Sequence, residues 1–152
     1  MPTIGSCLTS TAAAGRAAPG SRPADVPEPE PPETIPVLVV DDHPGFRRAL
    51  ERALARAPGL RLVGSTSNGE EALRMSAQLH PRVVVMDLAM PGMTGVDVTR
   101  RLMAGREPPA VVALSGSREL MRDAIAAGAR GTLLNEADLT ELLATVRRVA
   151  RP

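Results

Sequence analysis

The chain has 152 residues, a hydrophobic content of 43% and a formal net charge of +1 at pH 7. This length fits one small domain with a hydrophobic core. The charge favours neither a nucleic acid nor an anionic membrane as partner, and no apolar stretch approaches the roughly 20 residues of a membrane-spanning helix. Cys7 is the only cysteine, which excludes an intramolecular disulfide and favours a cytoplasmic location.

The N-terminal 35 residues differ in composition from the remainder of the chain. Eight of the fifteen prolines lie within residues 1–36, together with many alanine, serine and threonine residues. Such a segment cannot bury enough apolar surface to offset its conformational entropy. We therefore predict a disordered tail over residues 1–35 and a folded domain over residues 36–152. A specific docking role of the tail is the alternative.

Strand and helix patterns alternate through the folded domain. Short apolar or β-branched runs predict five strands, at Val37–Val40, Arg61–Val63, Val83–Met86, Ala110–Leu114 and Gly131–Leu134. Helices are predicted between and after them from apolar spacing and from start and stop signals, among them Pro44, the caps Asn68 and Thr94, and Gly128. In the fourth helix the predicted inward residues are Leu120, Met121, Ala124 and Ile125. Five strand–helix units predict an α/β fold with a parallel sheet covered on both faces.

Three carboxylates come directly after two of the predicted strands. Asp41 and Asp42 follow the first strand, and Asp87 follows the third. Open α/β sheets bind ligands at the carboxyl ends of their strands. Carboxylates that meet there repel one another unless a hard cation lies among them, and this composition suits Mg²⁺. The pattern indicates phosphoryl transfer onto an aspartate. We interpret His43 as bordering the helix start rather than as a metal ligand, since no second histidine is near.

Four motifs accompany these acids. They are Val40-Asp41-Asp42-His43-Pro44, then Met86-Asp87 with Met90-Pro91-Gly92-Met93-x-Gly95, then Ser115 after the fourth strand, and Gly128-Ala129-x-Gly131 before the fifth. Together they resemble the receiver domain of two-component response regulators, most closely its NarL/LuxR branch. The resemblance covers about residues 36–150. It implies a flavodoxin-like fold, a doubly wound (βα)5 parallel sheet with strand order 2-1-3-4-5.

The resemblance also implies a role for each matching residue. Asp87 is the phosphoacceptor, and a carboxylate needs no base to act as a nucleophile at neutral pH. Asp42 is a ligand of Mg²⁺, Asp41 acts through a bound water, and the backbone carbonyl of Ala89 supplies a further oxygen. Ser115 provides the hydroxyl that bonds a phosphoryl oxygen and moves when phosphate arrives.

Two positions depart from the family pattern. Asn135 stands where the family has a lysine at the end of the fifth strand, and the chain contains no lysine at all. An amide brings no charge, and a charge-assisted hydrogen bond contributes roughly 1.5–3 kcal/mol against about 1 for a neutral one. Thr132 occupies the position of the family's aromatic switch residue. We therefore expect weakened phosphorylation or a weakened readout of it.

The favoured function is a single-domain receiver in a phosphorelay. A sensor histidine kinase or phosphotransfer protein would phosphorylate it, and a downstream protein would bind the face of the fourth helix, fifth strand and fifth helix. At most it catalyses its own phosphorylation and dephosphorylation, and a homodimer is compatible with the sequence.

Two alternatives stay open at this point. One is a degenerate receiver that binds a partner without phosphate, and the other is the remnant of a NarL/LuxR-type transcription regulator. The sequence ends at Pro152, directly after the last predicted helix. We therefore expect no helix-turn-helix domain and no direct contact with nucleic acid.

Overall fold

Strands and helices alternate strictly through the part of the chain that the computed structural model describes, residues 32–152. The predicted tail lies almost wholly outside the described residues. The strands are β1 (Ile35–Val40), β2 (Leu60–Thr66), β3 (Val83–Asp87), β4 (Ala110–Ser115) and β5 (Gly131–Leu134). The helices are α1 (Pro44–Arg56), α2 (Gly69–Leu79), α3 (Gly95–Met103), α4 (Arg118–Ala127) and α5 (Leu139–Val149).

The five strands form one parallel sheet in the order β2-β1-β3-β4-β5. This is the order that the family resemblance implied, so the predicted fold class is confirmed. β1 and β3 are neighbours although β2 lies between them in the chain. Their carboxyl ends, which carry the three acids, therefore meet at the middle of one sheet edge.

An apolar layer covers each face of the sheet. Leu54 of α1 and Val146 of α5 belong to one layer, and Ala72 of α2, Val98 of α3 and Ala124 of α4 belong to the other. Successive residues of β1, β3 and β4 contribute alternately to the two layers, which explains why these strands are continuous apolar runs. Full burial of one such side chain contributes about 1.5–3 kcal/mol to stability. The centre of the sheet is therefore well packed, and it fixes the strand ends that carry Asp41, Asp42 and Asp87.

β2 is longer than the predicted Arg61–Val63. It continues through Gly64-Ser65-Thr66, because these residues pair with the second half of β1. The register shifts between Val37 and Leu38. The extension matters for the site, since the backbone carbonyl of Thr66 accepts a 3.0 Å hydrogen bond from the Asp41 N–H.

The predicted inward stripe of α4 is wrong at one end. Ala124 is buried, but Ile125 is 57% exposed. Ile125 therefore does not belong to the buried side of α4. β5 is an edge strand of only four residues. Leu134, at the end of β5, is likewise 52% exposed.

Among the helices within residues 32–152, none has both the length and the apolar character to cross a bilayer.

Candidate functional site

The structure brings the three predicted acids together. Asp41 and Asp42 follow β1, and Asp87 is the last residue of β3. One carboxylate oxygen from each acid and a ring nitrogen of His43 all lie within 4.8 Å of one another. Asp41 and Asp87 are only 5% and 3% exposed. Asp41 and Asp87 therefore lie against the core, whereas Asp42 is partly exposed and His43 is exposed at the open side of the cluster.

Two oxygens of this cluster have no hydrogen-bond partner among the described residues. They are Asp42 Oδ1 and Asp87 Oδ2, and both are buried. The other Asp87 oxygen, Oδ1, accepts a 3.0 Å hydrogen bond from the Ala89 N–H. A buried polar atom without a partner costs about 1–3 kcal/mol, and more if charged. A hard divalent cation would satisfy both oxygens, so the donor set fits Mg²⁺.

The surroundings of the acids change their proton affinities. Burial raises the pKa of Asp87 to about 6, and the neighbouring Asp42 and Asp41 carboxyls add to this effect. Burial also raises the pKa of Asp41, although hydrogen bonds from His43 oppose it. Without a bound cation the cluster therefore holds a proton more readily than exposed aspartates do. Protons and a divalent cation compete for the same oxygens.

His43 borders the helix start, as expected, but its ring also enters the acidic cluster. It occupies the N-cap position of α1, and its backbone N–H donates to Asp41 Oδ1 at 2.7 Å. Its Nδ1 atom lies 3.2 Å from Asp41 Oδ1, 3.1 Å from Asp42 Oδ1 and 3.7 Å from Asp87 Oδ2. The hydrogen bond with Asp41 raises the pKa of His43, and the charge of Asp42 raises it further. The sequence signal was the position of His43 directly after the acid pair.

Arg47 supports the loop that carries the first two acids, a contact that the sequence reasoning missed. Its Nη1 donates to the backbone carbonyl of Asp41 at 2.9 Å, and its Nε lies 3.8 Å from Glu51 Oε1. The same Glu51 oxygen accepts a 2.6 Å hydrogen bond from the Ser65 hydroxyl of β2. The loop after β1 is thus tied to α1 and β2. The available signal was an arginine one turn into the helix that follows the acids.

Ser115 and Asn135 lie at the ends of β4 and β5. Ser115 is buried, and its Oγ accepts a 3.0 Å hydrogen bond from the Ser117 N–H. The Asn135 backbone N–H donates to the Ser115 carbonyl at 3.3 Å. A cavity of about 170 Å³ is lined by Asp41, His43, Phe46, Asp87 and Asn135. Asn135 therefore lines the same cavity as Asp41 and Asp87, whereas Ser115 lies outside that lining.

A shallow groove lies on the surface formed by α4, β5 and α5. Thr132 lines it together with Met121, Leu133, Leu134, Glu136, Ala137 and Glu141. No aromatic side chain can fill it from β5, because that strand contains none. The small Thr132 side chain therefore leaves this groove open at β5.

Residues 37–147 match the family model of the response regulator receiver domain. The chain belongs to that family. Receiver domains are signalling modules rather than classical enzymes, and they work with histidine kinases or phosphotransfer proteins. Mg²⁺ and an aspartyl phosphate are typical of them.

Curated relatives are response regulators. Response regulator GacA of Pseudomonas viridiflava is 39% identical over 117 residues, which cover 76% of this chain and 55% of that protein. The nitrate/nitrite response regulator protein NarL of Escherichia coli K12 is 32% identical over 122 residues, 78% of this chain and 56% of that protein. The chain thus spans little more than half the length of these relatives.

A solved structure supports the NarL/LuxR likeness. The signal receiver domain of the putative response regulator NarL from Mycobacterium tuberculosis has a TM-score of 0.74 and 33% identity, covering 78% of this chain and 98% of that one. This chain therefore contains the receiver domain of a two-component response regulator.

Proposed function

We propose that this receiver accepts a phosphoryl group on Asp87 with Mg²⁺ bound among the acids, and that it signals through protein–protein contacts. The observation that carries the proposal is Asp87 Oδ2. It is buried, has no hydrogen-bond partner among the described residues, and lies in a cluster with Asp41 and Asp42. An oxygen left free in such a place is suited to form a new bond.

The chain's own groups account for the acceptor step. The Ala89 N–H donates to Asp87 Oδ1 and so orients the carboxylate. One oxygen of this carboxylate attacks phosphorus, an oxygen–phosphorus bond forms, and the bond to the donor breaks with its electron pair leaving on the donor. When bound, Mg²⁺ neutralises the carboxylates and coordinates phosphoryl oxygens. Asp42 would hold the ion directly, Asp41 through a water, and Ala89 through its carbonyl.

The response to phosphorylation is proposed to be atypical. Ser115 Oγ accepts one hydrogen bond and keeps its own O–H free to donate to a phosphoryl oxygen. Asn135 faces the acids but supplies an uncharged amide instead of an ammonium group. A ligand shifts a conformational equilibrium only by its differential affinity for the two states. The loss of one charged contact therefore reduces the driving force for switching.

A second candidate function is a receiver that binds its partner without phosphate, and one observation favours it. Ile125 and Leu134 are 57% and 52% exposed on the surface of α4, β5 and α5. An exposed apolar surface is available to a partner whether or not Asp87 carries phosphate. In both functions we propose this surface as the site of the downstream protein or of a second copy of the chain. A cytoplasmic location remains a proposal from the sequence.

Phosphorylation of the full chain with acetyl phosphate and Mg²⁺ distinguishes the phosphate-accepting receiver from the phosphate-independent module. Intact-mass measurement should show one added phosphoryl group in the wild type and none in Asp87→Asn. Asp123→Asn is the matched control, since Asp123 is an exposed acid of α4 away from the cluster. Absence of labelling in the wild type from both acetyl phosphate and a phosphorylated phosphotransfer protein would favour the phosphate-independent module.

A further inference from the structure

The acidic cluster contains one donor that is not an oxygen. It is Nδ1 of His43, which lies 3.1, 3.2 and 3.7 Å from oxygens of Asp42, Asp41 and Asp87. Adjacent ligands of an ion with bonds of about 2.1 Å lie about 3.0 Å apart in an octahedron and about 3.4 Å apart in a tetrahedron. The distances to Asp42 and Asp41 lie within this range, and the distance of 3.7 Å to Asp87 is slightly longer than the tetrahedral value. The ring nitrogen is thus spaced from the carboxylates as one ligand is from the next.

A second observation shows that the cluster is incomplete without a ligand. The Asp87 side chain is 4% exposed, and its Oδ2 accepts no hydrogen bond among the described residues. The backbone of His43 is also fixed, because its N–H donates to Asp41 Oδ1 at 2.7 Å. The acid loop itself therefore presents the imidazole to the unsatisfied oxygen.

We propose that His43 Nδ1 is a ligand in this site, so that the site binds divalent first-row transition ions as well as Mg²⁺. The proposal rests on the metal site of the proposed function and changes its ion preference. Imidazole nitrogen suits zinc, iron, nickel and copper, whereas Mg²⁺ prefers oxygen. His43 therefore raises the affinity for Zn²⁺ while adding nothing to the affinity for Mg²⁺.

A competing explanation makes the opposite prediction. The imidazole could donate a hydrogen bond to the carboxylates and occupy the place of the ion. In that case its removal would open the site, and the affinities for Zn²⁺ and Mg²⁺ would both rise. The sign of the change on removing the ring therefore separates a ligand from a competitor.

The experiment is calorimetric titration of the full chain with Zn²⁺ alone and with Mg²⁺ alone, at one mildly alkaline pH. His43→Ala should lower the Zn²⁺ affinity on the order of tenfold or more, since loss of even an outer-sphere partner of a ligand costs 10–100-fold. The Mg²⁺ affinity should be unchanged. His43→Phe keeps a ring without nitrogen and should behave like His43→Ala.

Two control variants remove the chain's other histidine and its cysteine, which could also bind Zn²⁺. His80→Asn removes the second histidine, which is the left-handed C-cap residue of α2 with φ 48°, a conformation that asparagine tolerates. Cys7→Ser removes a thiol outside the described residues. Both variants should retain the high-affinity Zn²⁺ site. In the wild type, Zn²⁺ should shift the ring ¹⁵N signals of His43 and leave those of His80 in place.

The result that overturns the inference is an unchanged or increased Zn²⁺ affinity in His43→Ala and His43→Phe. Asp42→Ala separates this outcome from failure of the proposed function. If Asp42→Ala loses Mg²⁺ binding while His43→Ala keeps Zn²⁺ binding, the metal site stands and only the His43 ligand is wrong. If Asp42→Ala binds Mg²⁺ as the wild type does, the acids are not the site and both proposals fail.

Discussion

The edge that carries the acids and the surface of α4, β5 and α5 are built differently. Asp41 and Asp87 follow interior strands and are 5% and 3% exposed. On the other surface, Ile125 and Leu134 are more than half exposed, and β5 has only four residues. The first region is suited to hold a small ion and a reactive oxygen, and the second to meet another protein.

The two regions also differ in how closely they follow the family. The resemblance predicts every acid of the receiver motif, and it predicts that Asn135 and Thr132 stand at the positions of the lysine and the aromatic switch residue. In the proposed function, accepting a phosphoryl group and responding to it use different residues. This chain therefore offers a test of whether the first function persists when the second is weakened.

The largest effect is expected for Mg²⁺ binding at the sheet edge that carries the acids. Mg²⁺ that binds only the folded state should raise the melting temperature by mass action. Asp42→Ala removes the proposed direct ligand and should abolish that rise. Circular dichroism is the suitable measurement, because the chain has no tryptophan or tyrosine. Asp123→Ala should leave the Mg²⁺ effect intact, and an equal rise in both variants would show that the acids do not form the site.

The second prediction concerns pH. The pKa of Asp87 is raised to about 6 from the ordinary 3.8, so between these values the folded state binds the proton more tightly than the unfolded state does. Without Mg²⁺, this group's contribution to stability therefore decreases as pH rises through that window. The Mg²⁺-induced increase in melting temperature should do the opposite and grow as pH rises through about 6, because Mg²⁺ displaces the proton. A Mg²⁺ effect that is constant from pH 5 to 8 would contradict the raised pKa.

A smaller effect is expected from the residue that supports the acid loop. Arg47→Ala removes the hydrogen bond to the Asp41 carbonyl. A hydrogen bond from a charged donor contributes about 1.5–3 kcal/mol, and part of that should appear as a weaker Mg²⁺ affinity, several-fold by titration. Arg48→Ala, one residue along the same helix, is the control. If Arg47→Ala and Arg48→Ala melt at the same temperature but Arg47→Ala binds Mg²⁺ more weakly, Arg47 is a positioning residue. If the two variants bind Mg²⁺ equally well, Arg47 has no such role.

The smallest effect is expected on the surface of α4, β5 and α5. Beryllofluoride, a phosphoryl mimic, should cause limited amide chemical-shift changes in α4, β5 and α5 of the wild type. Asn135→Lys supplies an ammonium group where the amide now faces the acids, and should enlarge those changes. Thr132→Tyr tests the aromatic position separately. If the wild type already shows a full rearrangement and Asn135→Lys adds nothing, Asn135 is not a functional loss.

Local sequence determined the elements and the general place of the site. Asn68 and Thr94 were predicted as caps from their positions, and both accept hydrogen bonds from backbone N–H groups at the start of their helices. The acids were placed at strand ends because the apolar runs before them are short and buried on both faces. These features depend on neighbours close in the chain, so composition and spacing suffice to predict them.

Tertiary structure alone decided the remaining details. Ser65 and Thr66 became strand residues because β1 offers them partners more than twenty positions away. The bridge from Arg47 through Glu51 to Ser65 joins the loop after β1 to α1 and β2, and the exposure of Ile125 appears only in the packed structure. The His43 ring meets Asp87 only because β3 lies next to β1. Such contacts join residues far apart in sequence, and no local pattern of residue types encodes their distances.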